Sequence, residues 1–333
     1  AFFDAHVDVL SEAGARDGDP VGYCFSYPIT SRPDGDAVLN TWTKEVRVKG
    51  VVGNGVGRLL REHAARRGLQ LGKIVVLNDT IATLVGGSLA PGVVPERSVG
   101  LIVGTGTNIG AWILGADILT LPAEGWDHAS AAESPPKDLA GWSLGGLAGR
   151  HARMAVNFES GAFNPPGLGP VDEIIDESSQ NPRAQRFEKA VSGAYLGRVF
   201  HAACRVLEIK ATGGEDAAGD TMQREPTTAE VSAIAAEPAS LPRNELARAL
   251  LRRSAEMVAA SLAATFDLMK TDGAEADLFV TAEGSLFWKA PGYARHVGQT
   301  LDALLAADGA RAHITHVDNA NLLGSTAAVL SRR

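Results

Sequence analysis

Two short apolar runs, each ending abruptly in a cluster of polar residues, limit how this chain can fold. Residues 75–77 are valine, valine and leucine, and Asn78, Asp79 and Thr80 follow them directly. A short apolar run that stops at polar residues predicts a buried β-strand that leads into a helix. We expect Thr80 to cap this helix and the helix to extend to Val85, so that Asp79 stands at the end of a buried strand.

The second apolar run covers residues 99–103 and breaks at a turn built of glycine and threonine. The turn residues are Gly104, Thr105, Gly106, Thr107 and Asn108. This pattern predicts a strand, a tight turn and a second strand. Glycines let the backbone approach a ligand, and successive amides with threonine hydroxyls can hold phosphate oxygens. A carboxylate at one strand end and a phosphate cradle at another indicate phosphoryl transfer; the alternative is an ordinary hairpin after an ordinary strand-to-helix turn.

Composition and charge argue against several classes of protein. The 333 residues, 45% hydrophobic and 21% charged, are enough for one large core or two domains. A net charge of -8 without a basic run disfavours nucleic acid or a membrane surface as the main partner. The two cysteines, Cys24 and Cys204, are far apart, which argues against a disulfide framework or a zinc site and favours the cytoplasm. No apolar run reaches the roughly 18 residues of a membrane span.

Two other glycine motifs suggest different chemistry. Residues 51–57 contain three glycines before a helical pattern, but Arg58 stands where a dinucleotide-binding loop needs its last glycine. Residues 141–145 match the Gly-x-Ser-x-Gly nucleophile elbow, which would make Ser143 the nucleophile of a hydrolase. An elbow must follow a buried strand, whereas prolines precede this one. We therefore expect a loop here that enters a helix through Met154.

The two polar clusters, taken with shorter motifs, resemble the hexokinase family. Residues 78–80 and 100–108 occur in the family's order and close to its spacing. Residues 23–28 and 39–44 are similar to its Phe-Ser-Phe-Pro and Trp-Thr-Lys-Gly-Phe elements, although Glu-Val replaces the final Gly-Phe. Together these motifs predict a family member over the first third of the chain.

Later stretches extend the resemblance to about residue 330. Residues 154–163 resemble Asn-x-Glu-x-Gly-x-Phe, and residues 171–196 resemble a long block in which a glutamate precedes a lysine. Residues 282–285 resemble an Asp-Gly-Ser turn, with Glu283 in place of the aspartate. The family's earlier Asp-x-Gly-Gly-Thr phosphate loop does not occur in this sequence, so we expect a truncated chain.

The resemblance implies an α/β protein with the two-lobed hexokinase fold, which is an actin-like ATPase (ribonuclease H-like) fold. The alternation of predicted strands and helices agrees with the α/β class. Residues 1–77 with a closing helix at 322–333 would form an incomplete small lobe, and residues 78–321 would form the large lobe.

The resemblance further implies ATP-dependent phosphorylation of glucose or a related hexose at its 6-hydroxyl, with Mg²⁺, as the first step of glycolysis. Asp79 would be the catalytic base, and Lys44 would hold the sugar and contribute positive charge. The sugar would contact Ser26, Thr43, Lys44, Asn78, Asp79, Asn108, Glu159 and Glu188. The nucleotide would contact Gly104, Thr105, Gly106, Thr107, Thr228, Ser232, Gly284 and Ser285. We expect no protein side chains that form a metal site of their own.

Two other functions stay open at this point. A non-catalytic hexokinase-like protein that binds sugar or nucleotide, or an inactive fragment, agrees with the missing phosphate loop. A hydrolase that uses Ser143 agrees with the elbow motif alone. The three hypotheses differ in product, because only the first yields ADP and a sugar phosphate.

Overall fold

The structure, a computed structural model, describes residues 2–32, 34–42, 47–118, 143–144, 153–209, 224–238, 240–269 and 277–331. Its contacts divide the chain into two units that alternate along the sequence. The first unit comprises Ala1–Gly100, Gly110–Asn157 and Val317–Arg333, and the second comprises Leu101–Ile109 and Phe158–His316. In the described ranges, every helix is too short or too polar to cross a membrane.

Helices and strands are mixed along the chain, as predicted for an α/β protein. The strands are β1 Val21–Cys24, β2 Ile29–Ser31, β3 Ala37–Leu39, β4 Ile74–Leu77, β5 Ser98–Val103, β6 Thr107–Leu114, β7 Ser143–Leu144, β8 Arg153–Asn157, β9 Leu278–Glu283 and β10 Ala312–Thr315. The α-helices are α1 Phe2–Glu12, α2 Val56–Arg66, α3 Asp79–Ser88, α4 Pro170–Glu177, α5 Arg186–Val191, α6 Leu196–Val206, α7 Thr228–Ala236, α8 Pro242–Met269, α9 Ser285–Lys289, α10 Tyr293–Leu305 and α11 Ala320–Ser331.

The first unit is organised around β4. This strand pairs in parallel with β1, with Val21 opposite Ile74 and Cys24 opposite Leu77. All four side chains of β4 are buried, which explains why its sequence is a continuous apolar run instead of an alternating one. The buried strand predicted at residues 75–77 is confirmed, and it ends where the polar cluster begins.

Helix α3 follows β4 without a connecting loop. Its cap is Asn78, whose side-chain oxygen accepts a hydrogen bond from the Thr80 amide at 2.9 Å. The predicted cap at Thr80 is wrong, because the residue with extended backbone just before the first helical residue is the one that can reach the unpaired amides. The helix also continues past Val85 and ends at Ser88.

Helices α3 and α11 approach each other closely in the first unit. A Cβ atom on Gly86 of α3 would overlap the carbonyl oxygen of Ala320, and one on Gly324 of α11 would overlap the carbonyl oxygen of Ala82. Glycines on both sides of the contact thus let the two backbones touch. This packing keeps α3 with the first unit, so the division by contacts does not fall at the predicted boundary after Leu77. The predicted lobes stay a prediction.

The second unit contains the helical core of the chain. Strands β9 and β10 pair in parallel, with Leu278 opposite Ala312 and Thr281 opposite Thr315. Helix α8 packs against α7 and α10. Its apolar stripe was expected to be core, yet only some of that stripe is buried. Leu262 and Phe266 are buried, whereas Leu246, Leu250 and Met257 are half-buried.

Among the described residues, the sheet with the most strands has the order β10-β9-β5-β6-β8-β7. The predicted pair of strands around the Gly-Thr turn is present as β5 and β6. The boundaries between the two units fall inside these strands, after Gly100 and after Ile109. Each unit therefore contains one part of both strands.

Residues 145–152, directly after the elbow motif, lie outside the described residues, and Met154 lies in a strand instead of the helix predicted to reach it. Strand β8 pairs antiparallel with β6, with Val156 opposite Ala111 and Met154 opposite Ile113. Ser143 lies in β7 opposite Met154. A nucleophile elbow needs a sharp turn from a strand into a helix, and residues 145–152, where that turn would have to form, lie outside the described residues. The hydrolase hypothesis therefore stays a prediction.

We predict that the substitution Gly324→Ala lowers the free energy of unfolding by about 1 to 3 kcal/mol, because the new methyl group forces α11 away from α3. Chemical denaturation of the variant and the parent measures this difference. The matched control is Gly298→Ala in α10, where a Cβ would lie 3.8 Å from the nearest atom, Ile314 Cδ1. That variant should keep or gain stability, by up to about 1 kcal/mol, because alanine favours helix. Equal effects at both positions would contradict the close helix contact.

Candidate functional site

The carboxyl ends of β1 and β4 carry predicted site residues of the first unit. The two strands are parallel, and the amide of Phe25 donates to the carbonyl of Leu77 at 2.7 Å, one residue past their pairing. Ser26 follows Phe25, and Asn78 follows Leu77. The structure therefore brings Ser26, Asn78 and Asp79 to one edge of this small sheet.

Asp79 is held at the first turn of α3. Its Oδ1 atom accepts a hydrogen bond from the Thr80 amide at 2.9 Å, and the side chain is half-buried. Oδ2 makes no hydrogen bond to any residue that the structure describes. One carboxylate oxygen thus fixes the group, and the other can accept a proton.

The Gly-Thr turn of the second unit is held through its carbonyl groups. The amide of Gly193 donates to the carbonyl of Gly104 at 2.8 Å, and the amide of Ala194 donates to that of Thr105 at 3.0 Å. Within the described ranges, the amides of Thr105 and Gly106 donate to no acceptor, and the Thr105 side chain is exposed. Two adjacent amides with a threonine hydroxyl form an arrangement that suits phosphate oxygens.

The backbone of Gly284 packs closely against this turn. It adopts φ +117°, and a Cβ atom there would overlap the carbonyl oxygen of Val103 at the end of β5. A Cβ atom on Gly104 would lie 3.4 Å from the Gly284 Cα atom. Only glycine satisfies both the backbone conformation and the close approach at position 284. The predicted nucleotide residues Gly104 and Gly284, with Ser285 next in the chain, are therefore neighbours.

Helix α7 is tied to the same group of residues. The hydroxyl of Thr228 donates to the carbonyl of Gly193 at 2.6 Å, and Gly193 in turn bonds to Gly104. Thr227 caps the helix, with its hydroxyl accepting from the Glu230 amide at 3.2 Å. Ser232 lies one helical turn after Thr228 and is half-buried. Thr228 is therefore connected to the Gly-Thr turn through a single residue, Gly193.

Glu188 lies against the other side of the turn. Its Oε2 atom accepts from the Thr107 amide at 3.1 Å, and a Cβ atom on Gly106 would lie 2.5 Å from that oxygen. The Thr107 hydroxyl donates to the carbonyl of Ile102 at 3.1 Å, and this side chain is only 5% exposed. Both polar groups of Thr107 are engaged inside the protein. The predicted contact of Thr107 with nucleotide stays a prediction.

Asn108 is hydrogen-bonded to the segment that follows β8, at the residue after Glu159. The Asn108 side-chain oxygen accepts from the Ser160 amide at 3.1 Å. Glu159 has a left-handed backbone with φ 49°, which is costly for a residue with a side chain. The amide of Phe187 donates to the carbonyl of Phe163 at 2.9 Å and so joins this segment to α5. Hydrogen bonds thus join the segment that carries Glu159 to Asn108 and to the helix that carries Glu188.

Two predicted residues cannot be placed, because Thr43 and Lys44 lie outside the described residues. The structure also adds residues that the motifs did not single out. Gly193 and Ala194 hold the turn carbonyls, and only their position in the block 171–196 could have suggested a role. Their contribution is through backbone amides, which leave no mark on side-chain type.

Comparison with known proteins agrees with this fold and these motifs. A hexokinase family model matches residues 98–241 and 215–331, and a second hexokinase family model matches residues 2–89. The Kluyveromyces lactis hexokinase is 32% identical over 202 residues, which are 58% of this chain and 36% of that protein. Hexokinase-2 of Candida albicans is 31% identical over 198 residues, with the same coverage of 58% and 36%. The chain spans about a third of the length of these relatives.

Solved structures share the architecture over almost the whole chain. A Schistosoma mansoni hexokinase solved with glucose has a TM-score of 0.77 at 24% identity, covering 99% of this chain and 75% of that one. A ROK hexokinase from Thermus thermophilus has a TM-score of 0.52 at 17% identity, covering 96% and 80%. The fold is therefore the sugar-kinase fold of the actin-like ATPase type. The chain belongs to the hexokinase family.

We predict that Gly284→Ala weakens the binding of MgADP at least tenfold, because a methyl group there displaces the end of β5 and the turn that follows it. Isothermal titration of the parent and the variant measures this change. The control is Gly292→Ala, since Gly292 also has a positive φ, +70°, but a Cβ there meets nothing within 4 Å. The control shares the backbone strain without the overlap. Equal losses of affinity would show that strain, and not the close approach, explains the effect.

Proposed function

We propose that this chain phosphorylates a hexose, glucose or a close relative, on its 6-hydroxyl with ATP. The observation that carries the proposal is Asp79, a half-buried carboxylate held by one oxygen at the first turn of a helix that follows a buried strand. Membership of the hexokinase family and the phosphate-binding geometry of the Gly-Thr turn support it. The activity is that of a sugar kinase phosphotransferase.

In the first unit, Asp79 acts as the general base. The hexose oxygen forms a bond to the γ-phosphorus of ATP, the bond from that phosphorus to the bridging oxygen breaks, and ADP leaves with the electron pair. The proton of the hydroxyl passes to the Asp79 carboxylate. Ser26 and Asn78 bind sugar hydroxyls beside it, and Thr43 and Lys44 complete this set.

In the second unit, Asn108, Glu159 and Glu188 bind sugar hydroxyls. Carboxylates and amides discriminate between sugars, because a sugar that lacks a hydroxyl leaves a polar group of the protein without its partner. The hydrogen bonds from Ser160 to Asn108 and from Thr107 to Glu188 fix these groups before the sugar arrives. Fixed groups lose less entropy on binding.

The nucleotide phosphates are bound by the Gly-Thr turn. The residues present fit a phosphate group, because the amides of Thr105 and Gly106 have no acceptor within the described ranges and the Thr105 side chain is exposed. Gly284, Ser285, Thr228 and Ser232 contact the rest of the nucleotide. When bound with the nucleotide, Mg²⁺ would supply positive charge that stabilises the leaving group.

The proposal includes a cytoplasmic location and a place at the start of glycolysis. The composition with two separated cysteines and the family of the chain support these assignments.

The decisive experiment measures glucose-dependent formation of ADP from MgATP by this chain, with the sugar phosphate identified by its mass. We expect turnover that requires both substrates. Saturable glucose binding without ADP would replace the proposal with a non-catalytic sugar-binding function. Absence of both from a folded chain would contradict the proposal altogether.

We predict that Asp79→Asn lowers kcat by about 10²- to 10⁴-fold, the usual contribution of a general base, while the Kd for glucose changes little. Steady-state kinetics and titration calorimetry measure the two quantities. The matched control is Asp8→Asn, which makes the same chemical change at an exposed carboxylate paired with Arg67. Exposed ion pairs contribute little, so this variant should behave as the parent does. A kcat for Asp79→Asn within threefold of the parent would sink the assignment of the base.

A further inference from the structure

A buried ion pair joins α4 to α5 in the second unit. The Lys189 ammonium group donates to Asp176 Oδ1 at 2.6 Å, and the two side chains are 3% and 6% exposed. Lys189 also donates to the carbonyl of Asn181 at 2.8 Å. Among the ion pairs of the described ranges, this one alone has both partners fully buried.

The pair closes the loop between the two helices. Both oxygens of Asp176 accept from the Arg183 amide, at 3.1 and 2.9 Å, so the carboxylate binds the loop as well as the lysine. Arg183 and Gln185 have left-handed backbones, with φ 68° and φ 54°. Residues with side chains adopt this conformation only where the surrounding contacts impose it. The ion pair supplies such contacts, because Asp176 accepts from the Arg183 amide and Lys189 donates to the Asn181 carbonyl.

The carboxylate of Asp176 is ionised in this arrangement. Burial by itself raises its pKa, but the hydrogen bonds from Lys189 and from the Arg183 amide outweigh burial and hold the pKa below its ordinary value. The lysine therefore faces a full negative charge. A charged pair in contact fixes the distance between α4 and α5 more narrowly than apolar side chains do.

Glu188 is the residue immediately before Lys189, and it faces the Gly-Thr turn. Its Oε2 atom accepts from the Thr107 amide at 3.1 Å. A Cβ atom on Gly161 would lie 2.8 Å from Gln185 Oε1 and 3.2 Å from Glu188 Cβ, so the segment carrying Glu159 packs on the same short helix. Helix α5 has only six residues and cannot hold its own orientation. Its position depends on what anchors it.

We propose that Asp176 and Lys189 are a positioning pair that sets the orientation of Glu188 for hexose binding. The inference rests on the proposed function, because Glu188 is assigned there to the sugar. Stability alone gives no reason for the pair, since buried ion pairs can often be replaced by apolar side chains without loss. The orientation of the neighbouring Glu188 carboxylate gives a reason for the pair.

The test is the double substitution Asp176→Leu with Lys189→Met. It replaces the pair with apolar groups of similar size and leaves no charge buried without a partner, which either single substitution would do. The measurements are the unfolding transition, kcat and KM for glucose, and the exchange rate of the Thr107 amide hydrogen. The control is Arg67→Met, which removes an exposed ion pair and leaves the Asp8 carboxylate in contact with solvent.

We expect a folded double variant whose KM for glucose rises about tenfold or more, with kcat within about threefold of the parent. The Thr107 amide should exchange at least tenfold faster, because its acceptor on Glu188 has moved. The control should match the parent in both measurements. A double variant with the parent's KM and exchange rate would overturn the proposal and leave the pair a packing element.

The proposed function and the positioning role of the ion pair are tested by different measurements. If the parent makes no sugar phosphate, the proposed function falls, and the Thr107 exchange rate still decides whether the pair positions Glu188. If the double variant does not fold, Asp176→Asn with Lys189→Gln keeps hydrogen bonding at neutral charge and is measured in the same way. Unchanged Thr107 exchange in that variant would also overturn the proposal.

Discussion

The second unit depends on two hydrogen bonds that hold the Gly-Thr turn by its carbonyls. Because Gly193 and Ala194 satisfy the oxygens of Gly104 and Thr105, the amides on the turn keep a fixed direction. Thr228 binds the carbonyl of Gly193, so α7 is connected to the same point. Changes in this group would move several predicted contacts together, since each is bonded to the next.

Some of the unusual backbone conformations lie in the segments that carry predicted ligand contacts. Glu159, Arg183 and Gln185 are non-glycine residues with left-handed backbone, and Gly284 has a positive φ beside a carbonyl that excludes any side chain. Such conformations cost free energy that the surrounding contacts must offset. The buried pair of Asp176 and Lys189 and the close glycine contacts provide those contacts.

Several parts of the fold and the candidate site were accessible to sequence reasoning. The strands β4, β5 and β6 follow from local apolar runs, and the polar residues at their ends follow from where those runs stop. The helix expected through Met154 is a strand, because pairing with β6 overrides local preference. The cap of α3 was assigned to Thr80 and belongs to Asn78, since a shift of one residue in backbone conformation decides it.

The sequence by itself determined the family motifs, the α/β class and the chemical types at the candidate site, because these depend on residue identity and local order. Only the tertiary structure decided which groups are already engaged: Thr107 through its amide and hydroxyl, Lys189 through Asp176, and the turn carbonyls through Gly193 and Ala194. These contacts join residues far apart in the chain or use backbone atoms common to every residue. For that physical reason, no pattern of side chains could reveal them.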